Sequence, residues 1–128
     1  MRNPVVHFEI MGNDSASSQK WYSDVFGWEI DPIAIPGAPE GETYGFVRLQ
    51  EGKGIGGGIS SADDGKPTVH IYIEVDDPQA YLTKIERAGG KTIMPPTEVL
   101  NMATIAMFSD PDGILIGLVK AAPEQERS

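Results

Sequence analysis

The chain holds two histidines, His7 and His70, in matching surroundings: Pro4-Val5-Val6-His7 in one place and Pro67-Thr68-Val69-His70 in the other. Near pH 7 an unperturbed imidazole is mostly neutral, so each can accept a proton, bind a ligand or coordinate a divalent ion. A catalytic ion usually needs about three protein ligands and an open position, which two imidazoles alone do not supply. Glu9 follows His7 by two residues, about 6.5 Å along a strand, and Glu74 falls on the same side of its strand as His70. These carboxylates would join a metal site only if the ion shifted toward them. Tyr72 shares the side of His70, and Arg48 either points inward with Tyr44 and Phe46, where it would favour a ligand bearing a carboxylate or carbonyl, or lies solvated on the rim.

Other chemistries fall away. There is no cysteine, which removes thiol nucleophiles, thiolate metal sites and disulfides together. No G-x-S-x-G elbow accompanies the serines, which gather at helix starts and loops where capping is their expected work. Gly52-Lys53-Gly54-Ile55-Gly56-Gly57 satisfies G-x-G-x-x-G literally, but residues 59–66 offer no helix whose N-terminus could hold a pyrophosphate.

The elements that must position the histidines come from an internal repeat. Laid over residues 67–93, residues 4–30 give seven identities in 27 positions, where average composition gives about two. After a gap of four residues, Gly54-Ile55 falls on Gly113-Ile114 and Gly58 on Gly117. One module spans about 1–62 and the other about 63–122, each opening on an alternating strand. Val6, Phe8 and Ile10 oppose His7, Glu9 and Met11 in the first; Val69, Ile71, Ile73 and Val75 oppose His70, Tyr72 and Glu74 in the second. A helix follows in both. Asp14 caps the first, Trp21/Val25 and Tyr22/Phe26 form its apolar pairs, and Gly27 stops it. Asp77 caps the second, Pro78 takes its first position, Leu82, Ile85 and Ala88 form its stripe, and Gly89-Gly90 end it.

Three further strands complete each unit: 28–35, 43–50 and 55–59 in the first, 91–94, 102–108 and 114–120 in the second. Asp110-Pro111-Asp112-Gly113 reads as a turn. The loop from Asp31 to Thr43, rich in Pro and Gly, is longer than its counterpart from Pro95 to Asn101 and could cover a pocket. If each helix covers the apolar face of its first strand, the histidine-bearing faces point away from the helices, and His7 and His70 are expected to share one cavity.

With 19 acidic and 10 basic residues the net charge is -9, which would repel a phosphate backbone and argues against nucleic acid as a partner. No apolar run approaches the roughly 20 residues that cross a bilayer, and no export signal pattern opens the chain. A cytoplasmic protein is expected, with a flexible tail over 123–128.

The pattern His7-x6-Asp14, Trp21-Tyr22-x3-Phe26-Gly27-Trp28, His70-x6-Asp77 and Asp110-Pro111-Asp112-Gly113 resembles the vicinal oxygen chelate superfamily, the glyoxalase/bleomycin resistance/extradiol dioxygenase group. The resemblance covers nearly the whole chain. It implies one α+β domain over 1–122, in which two tandem βαβββ modules form a curved mixed sheet around a concave pocket, and commonly a homodimer. In many members four strands give a His or Gln, a Glu, a His and a Glu to a divalent ion that chelates neighbouring substrate oxygens. His7 and His70 match the imidazole positions. The carboxylates belong in the fourth and eighth strands, where members often read DPDGNxIEL; here the eighth strand places Gly117 at the Glu, and the repeat places Gly58 at the other.

The residues and the resemblance together give a ligand-binding set of His7, Glu9, Arg48, Gly58, His70, Tyr72, Glu74 and Gly117, and no assigned catalytic residue. The expected function is binding of a small organic molecule without a permanent metal, in a hollow enlarged by the two missing Glu side chains. The alternative is a divalent-metal enzyme, a glyoxalase-like lyase or isomerase, an epimerase or a dioxygenase, built on His7 and His70.

Overall fold

The alternating stretch around His7 forms strand β1, Val5–Gly12, and the chain then enters helix α1, Ser15–Phe26. These elements are those of a computed structural model describing residues 2–100 and 103–121. Asp14 caps α1 from an extended backbone, its carboxylate accepting from Ala16 N and the Ser17 hydroxyl. Gly27 ends it at φ 71°, a left-handed conformation that glycine adopts without a steric cost. Strands β2, Ile30–Ala34, β3, Thr43–Val47, and β4, Gly56–Ser61, complete the first module. The second repeats the order: β5, Thr68–Val75, α2, Pro78–Arg87, β6, Lys91–Val99, β7, Ala103–Ser109, and β8, Leu115–Lys120. The fold is α+β, two βαβββ modules in tandem.

The described residues divide into two compact units, one of residues 6–70 and one of residues 2–5, 71–100 and 103–121. In the first unit the strand order is β2-β3-β4-β1, with β1 and β4 parallel and the other pairs antiparallel. The second has the same plan, β5-β8-β7-β6, with β5 and β8 parallel. Each sheet is therefore mixed. The Asp110-Pro111-Asp112-Gly113 turn leads into β8: Gly113 N–H donates to Asp110 O, and the Asp110 carboxylate accepts from the backbone of Asp112 and Ile114.

The core of the second unit gathers Val75, Leu82, Ala106, Phe108 and Leu118, with Ile73, Ile85 and Ile116 packed against it. Leu82 and Ile85 come from the stripe read in the sequence, and burying a side chain such as Leu82 stabilises by roughly 2 kcal/mol. Val69 and Ile71, expected on that same covered face, are exposed. The reason is register: β8 pairs only with Tyr72 to Val75, so the sheet that α2 covers starts beyond them.

In the first unit α1 is turned over relative to expectation. The residue it buries is Ser15, whose hydroxyl meets the carbonyls of Thr43 and Ile59 at 2.7 and 3.2 Å, while Gln19 reaches Ser15 and Thr43. Trp21, Val25 and Phe26 face outward, each more than half exposed. Gly45 explains the inversion locally, because a Cβ there would lie 2.6 Å from Gln19, so the polar side chain lies directly on the strand.

Strand β6 runs on through Pro95 and Pro96 to Val99, where a loop was expected. It is the outermost strand of its order and its pairing shifts register twice, conditions under which proline's missing donor is tolerated. The 31–43 loop likewise begins inside β2. Asn101, Met102, the module end at 122 and the tail over 123–128 lie outside the described residues.

Candidate functional site

Which face of the first sheet carries chemistry follows from the pleat. Gly45 lies against Gln19 of α1, and Ile59, paired with Gly45 and Ile10, is fully buried. Alternation then turns His7, Glu9, Tyr44, Phe46 and Gly58 to the face away from the helix. On it Glu9 is in register with Gly58, and Gly58 with Phe46. In the first unit the histidine-bearing face thus points away from α1, as the alternation predicts.

On this face His7 Nε2 and the Tyr44 hydroxyl lie 3.0 Å apart, a hydrogen bond in which either partner can donate, depending on the tautomer. Burial pushes the His7 imidazole below its ordinary value of 6.5, which favours the neutral ring. A Cβ added at Gly58 would fall 1.7 Å from the Tyr44 hydroxyl oxygen and 2.0 Å from Cζ. The phenol occupies the space in which any side chain at position 58 would have to start.

The second unit repeats the arrangement by another route. Tyr72 is in register with Gly117, and a Cβ on Gly117 would lie 2.3 Å from the Tyr72 ring. Tyr72 is buried, on the opposite side of β5 from Ile73 and Val75. Each glycine standing at an expected carboxylate position is overlaid by a tyrosine, from the neighbouring β3 in one module and from β5 in the other. The glycines were expected to enlarge the hollow; the rings take that space instead. Gly57 shows the same trade on the helix side, where the Phe8 ring lies 2.5 Å from a would-be Cβ.

The remaining candidates are placed as follows. His70 is buried in β5, and Glu9 and Glu74 are half-buried on β1 and β5. Arg48 is more than half exposed and holds Asp31 at 2.7 Å and Glu29 at 3.7 Å; these bonds raise its guanidinium further above its ordinary range. Its charge is thereby committed at the edge of the sheet. Tyr44 joins the set as a direct partner of His7. A tyrosine on the strand beside a glycine where a carboxylate is expected was the available signal, but pairing register cannot be read from a single sequence.

These residues do not fit a resident divalent ion. Both positions that should bring carboxylates are glycine, the space above each is filled by a ring, and the described residues contain no group of three or more His, Cys, Asp or Glu able to hold a metal. Among the described residues, no helix is long and apolar enough to cross a membrane.

Comparison with known proteins places this geometry. The profile of the Glyoxalase/Bleomycin resistance protein/Dioxygenase superfamily matches residues 5–118. Among curated proteins, CFP32 of Mycobacterium tuberculosis, provisionally named a glyoxylase, is 28% identical over 116 residues, covering 88% of this chain and 44% of its own. The anthracycline biosynthesis protein DnrV of Streptomyces peucetius is 29% identical over 121 residues, covering 83% and 42%. The chain spans less than half the length of these relatives. Among solved structures, the hypothetical protein BH1468 of Bacillus halodurans superposes with a TM-score of 0.73 at 14% identity, covering 97% of this chain and 98% of its own. A methylmalonyl-CoA epimerase in complex with methylmalonyl-CoA and ammonium gives 0.71 at 17% identity, covering 95% and 96%. At such identities these two structures speak for the fold alone.

Proposed function

Because the chain belongs to the Glyoxalase/Bleomycin resistance protein/Dioxygenase superfamily, we propose that it is a small-molecule-binding member that works without a resident metal. One observation carries this reading: the glycines at both carboxylate positions are matched to tyrosine rings that lie where an acidic side chain would begin. Restoring a carboxylate would therefore require two changes in each module, one at the glycine and one at the tyrosine. Each module is read by itself: the first offers His7, Glu9, Tyr44 and Gly58 to a ligand, with Arg48 at the rim, and the second offers His70, Tyr72, Glu74 and Gly117.

The ligand is a small organic molecule. The name of DnrV ties that relative to anthracycline biosynthesis, and a polycyclic aromatic of that kind is a natural first compound to screen. We also propose a homodimer, supported by the outward face of α1, where Trp21, Val25 and Phe26 would otherwise leave large apolar surface in water. A cysteine-free chain suits a reducing, cytoplasmic setting.

Thermal-shift measurements test the reading, because a ligand that binds only the native state raises its apparent stability. The expected result is a rise in midpoint with one or more organic ligands and none with Mn2+, Co2+, Ni2+ or Zn2+. A large rise with a divalent ion that His7→Ala abolishes would instead establish the metal-dependent enzyme.

A further inference from the structure

The metal-free reading leaves open what the helix-free face of the first unit recognises, and the inference here rests on that reading. We propose that the Tyr44–His7 pair is the point that holds a carbonyl or phenolic oxygen of an uncharged, aromatic ligand. Three features of one face carry this. The first is placement: the Tyr44 hydroxyl is centred over Gly58, in register with Glu9, and is bonded to His7 at 3.0 Å. Gly58 is what allows the phenol to lie there.

The second is protonic versatility. A neutral imidazole and a phenol can exchange donor and acceptor roles by a change of tautomer and a hydroxyl rotation. The pair therefore suits a ketone oxygen, which accepts, or a phenol, which does both, without a net charge on either side. The third is the character of the rest of the face. Phe46 stands next but one to Tyr44 on β3 and supplies an aromatic surface. At its rim the Arg48 guanidinium is held by two carboxylates, Asp31 and Glu29, which outweigh its single positive charge. A ligand with several phosphates would meet net negative charge on a chain already at -9. The shared fold of the CoA-ester-binding neighbours is accordingly not accompanied, on this face, by the charge such esters need.

Two probes separate the classes: 2-hydroxyacetophenone, an uncharged aromatic ketone and phenol, and acetyl-CoA, a polyanionic thioester. Isothermal titration gives affinity, and 15N spectra of the imidazole rings report on His7. The ketone is expected to bind saturably and shift the His7 ring nitrogens, and acetyl-CoA to do neither. Tyr44→Phe should weaken ketone binding on the order of fivefold, the worth of one hydrogen bond. Gly58→Ala, which keeps every polar group but evicts the phenol, should weaken it at least as much, with the thermal midpoint confirming a folded variant.

The proposal is overturned if the ketone shows no saturable binding, if Tyr44→Phe binds it like the parent, or if acetyl-CoA binds with the His7 shifts. Ketone binding that leaves the His7 ring nitrogens unmoved also overturns it, and leaves the metal-free reading standing. A bound divalent ion at one equivalent would overturn that reading instead.

Discussion

Gly58 and Gly117 decide, by having no side chain, where two tyrosine rings lie, and the two differ in how readily the ring can leave. The hydroxyl end of Tyr44, a partly buried residue, is what a Cβ at Gly58 would strike; the body of the buried Tyr72 ring is what a Cβ at Gly117 would strike. Overpacking a core typically costs 1–3 kcal/mol. Gly58→Ala should therefore lose about 1 kcal/mol or less as Tyr44 swings outward, and Gly117→Ala about 2–3 kcal/mol, read as urea midpoints. Equal losses would contradict the geometry.

His7 sets a pH dependence whose sign follows from its burial. With its folded pKa below the ordinary 6.5, the unfolded chain binds a proton that the folded chain refuses as pH falls past that value, so stability declines from about pH 6.5 until the folded pKa is passed. Above about 6.5 both states are neutral and the term vanishes. The midpoint of the parent should fall more between about pH 7.5 and pH 5.5 than that of His7→Gln, and parallel declines would refute the assignment. At this scale repetition singles out His7 and the two glycines in the sequence itself. It did not show Tyr44 as their partner, since the pairing of β3 with β4 depends on register.

At the scale of the element, α1 holds the main lesson in legibility. Its caps, Asp14 and Gly27, were readable from local chemistry, and so were its bounds. Which face it buries was not. The Trp21/Val25 and Tyr22/Phe26 pairs look like a core stripe, yet the sheet beneath offers Gly45 and the carbonyls of Thr43 and Ile59, which call for Ser15 and Gln19. Tertiary partners overrode the apolar pattern. Ser15→Ala should accordingly cost about 1–3 kcal/mol, since it strands buried polar partners, whereas Val25→Ala on the outer face should cost little in a monomer. A negligible loss at Ser15 in denaturant titrations would show that the helix rests on something else. For α2 the cap and the Leu82/Ile85 part of the stripe agreed with the core, whereas Ala88, expected in the same stripe, is the exposed residue that caps the end of the helix. β6 escaped it because its edge position, which makes two prolines acceptable, is a property of the sheet.

For the whole molecule, the repeat of 63 residues made the two βαβββ modules legible before any coordinates, and the superfamily profile over residues 5–118 agrees. Substrate identity was not legible, because such folds host many ligands on one scaffold. The exposed α1 face gives a prediction at this scale: if two copies pair through it, Trp21→Glu should shift the parent from dimer to monomer in sedimentation velocity, and an unchanged coefficient would remove α1 from the interface. The central claim, a binding site in which tyrosines stand where metal-holding carboxylates are expected, is tested most directly by elemental analysis of protein purified without chelator and then dialysed against Zn2+, Mn2+, Ni2+ or Co2+. The expected result is far less than one ion per chain in every case. One equivalent of any of these ions, lost in His7→Ala and His70→Ala, would contradict it.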